Sequence, residues 1–265
     1  MTEPLTTALP VLHAGLEQIR LAGKNTDTDP RIDEVKGLLY FWVWSLSADQ
    51  SDARAYRDSA AYTLEQTVNT GKQSARSWAA LSTIYTNTGN FMQAQYSAER
   101  ALRADMYARD VSATRLRLFQ SALENRDTSS ARAACDDIAR TMGASWWGSY
   151  CEVAIIAWNT TATPNEMKIV ERALAQTASL GMPQQDFLKA AAGVAFANGG
   201  EIARAHELYD GLSTSGQLGD EILPERAWLA TAMHDAVRAR ADLQAYVAAR
   251  PAARSGVLKS RRFQN

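Results

Sequence analysis

Small residues recur through this chain at a nearly constant interval. Ala94, Ala131, Ala205 and Ala239 fall at equivalent points of four helical stretches, 37, 74 and 34 residues apart. The gap of 74 holds two units of 37, and the segment Trp146–Leu180 supplies the extra one, with Lys168 standing where an alanine is expected. A period of this length fits two helices and two short turns. Such a unit cannot bury its apolar face alone, so successive units must stack and share one continuous core.

The local pattern agrees with helices. Leu9, Leu12, Leu16 and Ile19 follow the 3.6-residue period, as do Tyr56, Ala60, Leu64 and Val68, and Met167, Val170, Leu174 and Thr177. No run alternates apolar and polar residues in the manner of a strand. Pro10, Pro30, Pro164, Pro183, Pro224 and Pro251 are expected at helix edges, where a missing N–H costs little. Joints as short as Asn87-Thr88-Gly89-Asn90 and Asn198-Gly199-Gly200 make neighbouring helices antiparallel, so the unit is a helical hairpin.

The clearest unit reads Trp78-x2-Leu81-Ser82-x2-Tyr85, then Gly89, Ala94, Ala98 and Ala101, ending near Met106. A second has Ala192-Gly193-x2-Phe196, Gly200, Ala205-x3-Tyr209 and Leu212. Weaker copies carry Leu118-Phe119-x2-Ala122 with Ala131-x3-Cys135 and Ile138, and Ala227 and Ala230 with Ala239-x3-Leu243 and Pro251. This pattern resembles the tetratricopeptide repeat, W-x2-L-G-x2-Y followed by A-x3-F and P. Ser82, Ala98 and Met106 depart from it at the glycine, aromatic and proline positions. Near the start, Gly37-x2-Tyr40 matches one register while Ala60, 34 residues before Ala94, implies another.

The resemblance implies an all-α, right-handed solenoid of five to six antiparallel hairpins over residues 30–250. A helix within 1–29 is expected to cap it, and residues 251–265 form a basic, flexible tail. It also implies a non-enzymatic scaffold or adaptor whose first helices line a concave groove for a peptide or helix of another protein. Modules of this kind occur in bacterial secretion, pilus and envelope assemblies. A self-assembling structural subunit and a regulatory domain of an enzyme are the alternatives. Groove positions carried over by spacing are Arg76, Thr83, Thr86 and Asn87, then Gln120 and Glu124, then Asn198. Ala79 and Thr83 replace the residues with which one subclass of the family clamps a C-terminal carboxylate, so that activity is not expected.

Two further surfaces stand out. Trp146 and Trp147 are adjacent on a helix and cannot face the same neighbour, which leaves one of them as an exposed anchor. From Arg250 onward there are five basic residues and no acidic one, on a chain whose formal net charge is -1. The remainder is therefore acidic, and a basic tail fits an acidic partner or another copy of the chain.

Chemistry is sparse. His13, His206 and His234 lie far apart in sequence, and no metal or cofactor is expected. Gly71-Lys72 lacks the surroundings of a phosphate loop, and Asp136-Asp137 point about 100° apart on a helix. Asn159-Thr160-Thr161 matches a glycosylation sequon. Cys135 and Cys151 are expected as two small buried thiols, a single bridge being the alternative. The balance of charge gives no pull toward nucleic acid. The longest apolar run, Leu38–Trp44, falls far short of the roughly 20 residues of a membrane span. A cytoplasmic location is expected, or a periplasmic one behind a leader.

Overall fold

A computed structural model describes residues 3–22, 30–47, 50–70, 74–108, 111–142, 146–159, 161–176, 179–212 and 219–264. Gly71-Lys72 and Thr160 lie outside these residues. Helix α1 (Glu3–Ala22) precedes six pairs: α2 (Pro30–Leu46) with α3 (Gln50–Asn69), α4 (Ala75–Thr88) with α5 (Phe91–Ala104), and α6 (Val111–Glu124) with α7 (Thr128–Met142). The series continues with α8 (Trp146–Trp158) and α9 (Pro164–Ala175), α10 (Met182–Asn198) and α11 (Ile202–Asp210), and α12 (Leu223–Ala232) and α13 (Ala236–Ala249). A short α14 (Arg254–Lys259) lies between 3-10 turns at Pro251–Ala253 and Arg261–Phe263. No strand occurs among the described residues. The fold is all-α, a tetratricopeptide-like series of helix hairpins.

The chain divides into two compact units, residues 1–117 and 118–265, with the division inside α6. In the N-terminal unit α1 packs on α2, α2 on α3, and both of these on α4. In the C-terminal unit α10 is central and meets α8, α9, α11 and α12.

The repeat is seen most simply in the fourth residue of each second helix. Ala53, Ala94, Ala131, Ala205 and Ala239 all hold this position and are buried. In α9 it is Met167, half-buried, whereas Lys168 is exposed. The structure thus shifts the irregular hairpin by one residue from the sequence expectation. The positions are 41, 37, 36, 38 and 34 residues apart. Ala60 is the eleventh residue of α3, not its fourth, so its spacing of 34 from Ala94 is a coincidence of a longer helix.

Four hairpin turns share one geometry. Gly89, Arg126, Gly200 and His234 have positive φ of 69°, 59°, 86° and 60°. In each turn that residue donates its N–H to the carbonyl three residues back, and the next residue donates to the carbonyl five back. This is the C-terminal helix cap that favours glycine. The following Asn90, Asp127 and Asp235 then cap the second helix by accepting the N–H of Gln93, Ser130 and Arg238. The α8–α9 connection is longer and uses another device, a capping box of Thr163 and Glu166 with Pro164 in the first turn.

Two glycines mark close helix approach. A Cβ on Gly37 would lie 2.8 Å from Leu64, and one on Gly193 would lie 2.7 Å from Leu229. Where α11, α12 and α13 meet, Tyr209 donates to Asp242 Oδ2 at 2.7 Å and accepts from Arg226 at 3.0 Å. A phenol fits here because its ring packs while its hydroxyl joins the ion pair.

Three expectations change. Pro10 lies inside α1 rather than at an edge, on its exposed side. The cysteines are not free thiols: Cys135 of α7 and Cys151 of α8 form a disulfide with Cα atoms 5.8 Å apart. The last segment is not loose. It folds as two 3-10 turns around α14, with Ser260 buried.

Candidate functional site

In the N-terminal unit the groove positions expected on α4 are spent within their own helix. Thr83 donates to the Ala79 carbonyl at 3.0 Å, Thr86 to that of Ser82 at 2.8 Å, and Asn87 to that of Thr83 at 2.9 Å. Such i−4 bonds satisfy hydroxyl and amide without any partner. Arg76 is exposed at the other end of α4, beside a hollow of about 560 Å³ that also includes Glu34 and Tyr107. Glu34 accepts hydrogen bonds from Ser74 and Ser77 and ties α2 to the start of α4.

In the C-terminal unit the first helices carry a larger feature. A cleft of about 760 Å³ runs along the C-terminal ends of α6, α8, α10 and α12 and the turns that follow them. Trp158 and Trp228 line it with ring centroids 5.9 Å apart. Asn198 lines it too, but its amide donates to the carbonyls of Ala157 and Asn159 at 2.8 and 2.7 Å. It stitches α10 to the end of α8 rather than facing a partner. Glu166, on the same wall, accepts from the Thr163 N–H and hydroxyl. The backbone N–H first, then the hydroxyl, hold its carboxyl below the usual range. Arg126 and Arg261 stand exposed on the rim, neither ion-paired among the described residues.

One wall of the cleft is the chain's own C-terminal segment. Glu124, expected from spacing as a groove residue, is buried and already bound. Its carboxylate accepts from the Ser260 hydroxyl at 2.5 Å and from the Arg261 N–H at 2.9 Å. The Arg262 guanidinium lies 3.6 Å from Glu124 and donates to Glu225 Oε1 of α12 at 2.7 Å. It also lies over the rings of Trp228 and Phe263, each with its centroid 5.5 Å away. The Arg262 side chain is 21% exposed, the two carboxylate side chains only 6% and 7%. Burial works against its charge, but Glu225 and Glu124 outweigh burial and hold it more firmly protonated than in water. Beside it, burial and the Glu225 charge push Tyr150 of α8 up, so it stays a neutral phenol. Glu225 Oε2 is buried with no hydrogen-bond partner among the described residues.

The remaining expected residues have plainer roles. Gln120 is exposed on α6. Trp146 and Trp147 are both half-buried and stack on each other, centroids 3.9 Å apart, with Tyr150 and Phe187 beside Trp146. Adjacent residues on a helix diverge at Cβ, but here the two indoles fold together. Sequence reading missed the Arg262 cluster because its members lie up to 138 positions apart. The unbroken basic run was its only signal, and it pointed to a tail.

Among the described residues no group of three His, Cys, Asp or Glu can hold a metal ion, and no helix is long and apolar enough to cross a membrane.

No family model and no curated protein matches this chain. Among solved structures it is similar to a tetratricopeptide repeat protein from Parabacteroides merdae, at 12% identity and a TM-score of 0.62, with 99% of this chain and 98% of the other covered. That likeness shows the fold. Yeast Tom70, at 11% identity, 97% of this chain and 59% of that chain, has a TM-score of 0.47. BtubC from P. vanneervenii, at 13% identity, 94% and 91% coverage, has one of 0.36.

Proposed function

We propose that this tetratricopeptide-like chain is a non-enzymatic scaffold that holds an extended segment of another protein in the cleft along the first helices of its C-terminal unit. The observation carrying this reading is the cleft itself, with two tryptophans as an apolar floor and, on its rim, two arginines that form no ion pair among the described residues. Floor and rim together favour a segment bearing an apolar anchor and a nearby carboxylate. The bonded cysteines support an oxidising compartment, such as the periplasm, over the cytoplasm. That compartment suits a place in a secretion or envelope assembly.

The test is affinity capture from the native lysate with the intact chain and with an Arg126→Glu, Arg261→Glu variant. Both side chains are exposed, so the variant is expected to keep the helical circular dichroism of the parent. A partner retained by the first and lost by the second supports the reading. A partner held equally by both moves the binding face elsewhere. A concentration-dependent oligomer with no retained partner favours the self-assembling subunit instead.

A further inference from the structure

We propose that the first-helix face of the C-terminal unit carries a guanidinium-reading site, and that the chain's own Ser260–Phe263 fills it as an internal ligand. The proposal deepens the scaffold reading, because it uses the same face and names what that face recognises. Glu124 on α6, Tyr150 on α8, and Glu225 and Trp228 on α12 build the site, all from first helices. These four residues are buried, and they come together only through the stacking of hairpins.

The contacts made by the segment have the form of peptide recognition. One carboxylate, Glu124, reads a hydroxyl and the next backbone N–H, while a second, Glu225, reads the arginine two residues after that hydroxyl. Trp228 offers its ring to the guanidinium. The charge count then fixes the ligand. With Arg262 in place, two buried carboxylates share one cation. Without it they would face each other uncompensated, which a protein interior tolerates poorly. A segment that replaces this one must therefore bring a guanidinium. The planar fork of arginine suits two carboxylates and an aromatic face better than the point charge of lysine. The ligand class is a segment that makes one 3-10 turn, with the order hydroxyl, any residue, arginine, aromatic.

The site is tested with a labelled peptide spanning Arg254–Asn265 and the full chain carrying Arg262→Ala, which weakens the internal ligand. A tethered segment competes at an effective concentration on the order of millimolar. The variant chain is therefore expected to bind the peptide at least about tenfold more tightly than the unaltered chain does. The same peptide with Arg262→Ala should lose that binding, and with Arg262→Lys should bind several-fold more weakly. A helical variant chain that does not bind the peptide overturns the proposal, as does equal binding of the alanine peptide. If the variant chain does not fold, hydrogen exchange on the unaltered chain decides. Excess peptide should speed exchange in residues 254–264 and leave α12 unchanged, and no change would overturn the proposal. The two readings fail separately: loss of peptide binding leaves lysate capture unaffected, and capture indifferent to Arg126 and Arg261 leaves the peptide titration unaffected.

Discussion

The first-helix faces of the two units were equally promising by spacing and are chemically opposite. On α4, Thr83, Thr86 and Asn87 each find an acceptor four residues back. In the C-terminal unit, Glu124 finds its donors 136 and 137 residues away. A repeat pattern identifies positions that face a common direction, but not which have bonding capacity left after the helix has formed. These hydroxyls and this amide satisfy themselves within their own helix. A carboxylate cannot donate, so a buried one must be answered from elsewhere in the fold.

The largest effect should therefore come from removing that answer. Arg262→Met leaves Glu124 and Glu225 buried without a cation and is expected to cost about 3–5 kcal/mol, the range for breaking a buried pair from one side. Thr86→Val removes only a bond to its own helix and should cost no more than about 1 kcal/mol. Urea unfolding of both variants measures the contrast, and similar losses would break it. The disulfide separates the units in the same way. Closing a loop of 16 residues is worth about 3 kcal/mol. Reduction should raise hydrogen exchange in α7 and α8 and leave α2–α5 as they were. Faster exchange throughout the N-terminal unit would mean that the staple serves both.

The hairpins were readable because the repeat imposes the same demand many times. A small residue must stand at the fourth place of each second helix, and five alanines meet it. The α8–α9 hairpin was obscured where Met167 replaces that alanine and a capping box replaces the glycine turn. The long α3 hid the first register for a similar reason: its Ala60 is as buried as Ala94 but seven residues further along than Ala53. The candidate site was less legible. Of its members Glu124 and Asn198 lay on the pattern, and the residue that pairs with Glu124, Arg262, follows the last repeat. No periodicity reports a contact between the end of a chain and its middle.

Close approach sharpens the comparison next, since it is required once in each unit. Gly37→Ala and Gly193→Ala each drive a methyl group against a buried leucine, Leu64 or Leu229. Both are expected to cost about 1–3 kcal/mol, the usual range for overpacking. Thermal unfolding of the two variants tests this. A neutral result at either position would mean that its leucine has room to turn, and that the motif glycine there is dispensable.

The smallest effect is a gain. Of the four left-handed turns among the described residues, the one in the N-terminal unit has glycine, Gly89, while the C-terminal unit has Arg126 and His234 besides Gly200. A side chain in this conformation costs about 1–2 kcal/mol, partly offset because glycine loses more freedom on folding. Arg126→Gly and His234→Gly should therefore each stabilise the chain by up to about 1 kcal/mol, and Gly89→Ala should destabilise it by a comparable amount. Urea midpoints measure all three. If Arg126→Gly stabilises the fold but weakens partner capture, then the strained turn is kept for the guanidinium it places on the cleft rim. If stability and capture are both unchanged, the turn tolerates arginine freely and the rim assignment loses its structural support.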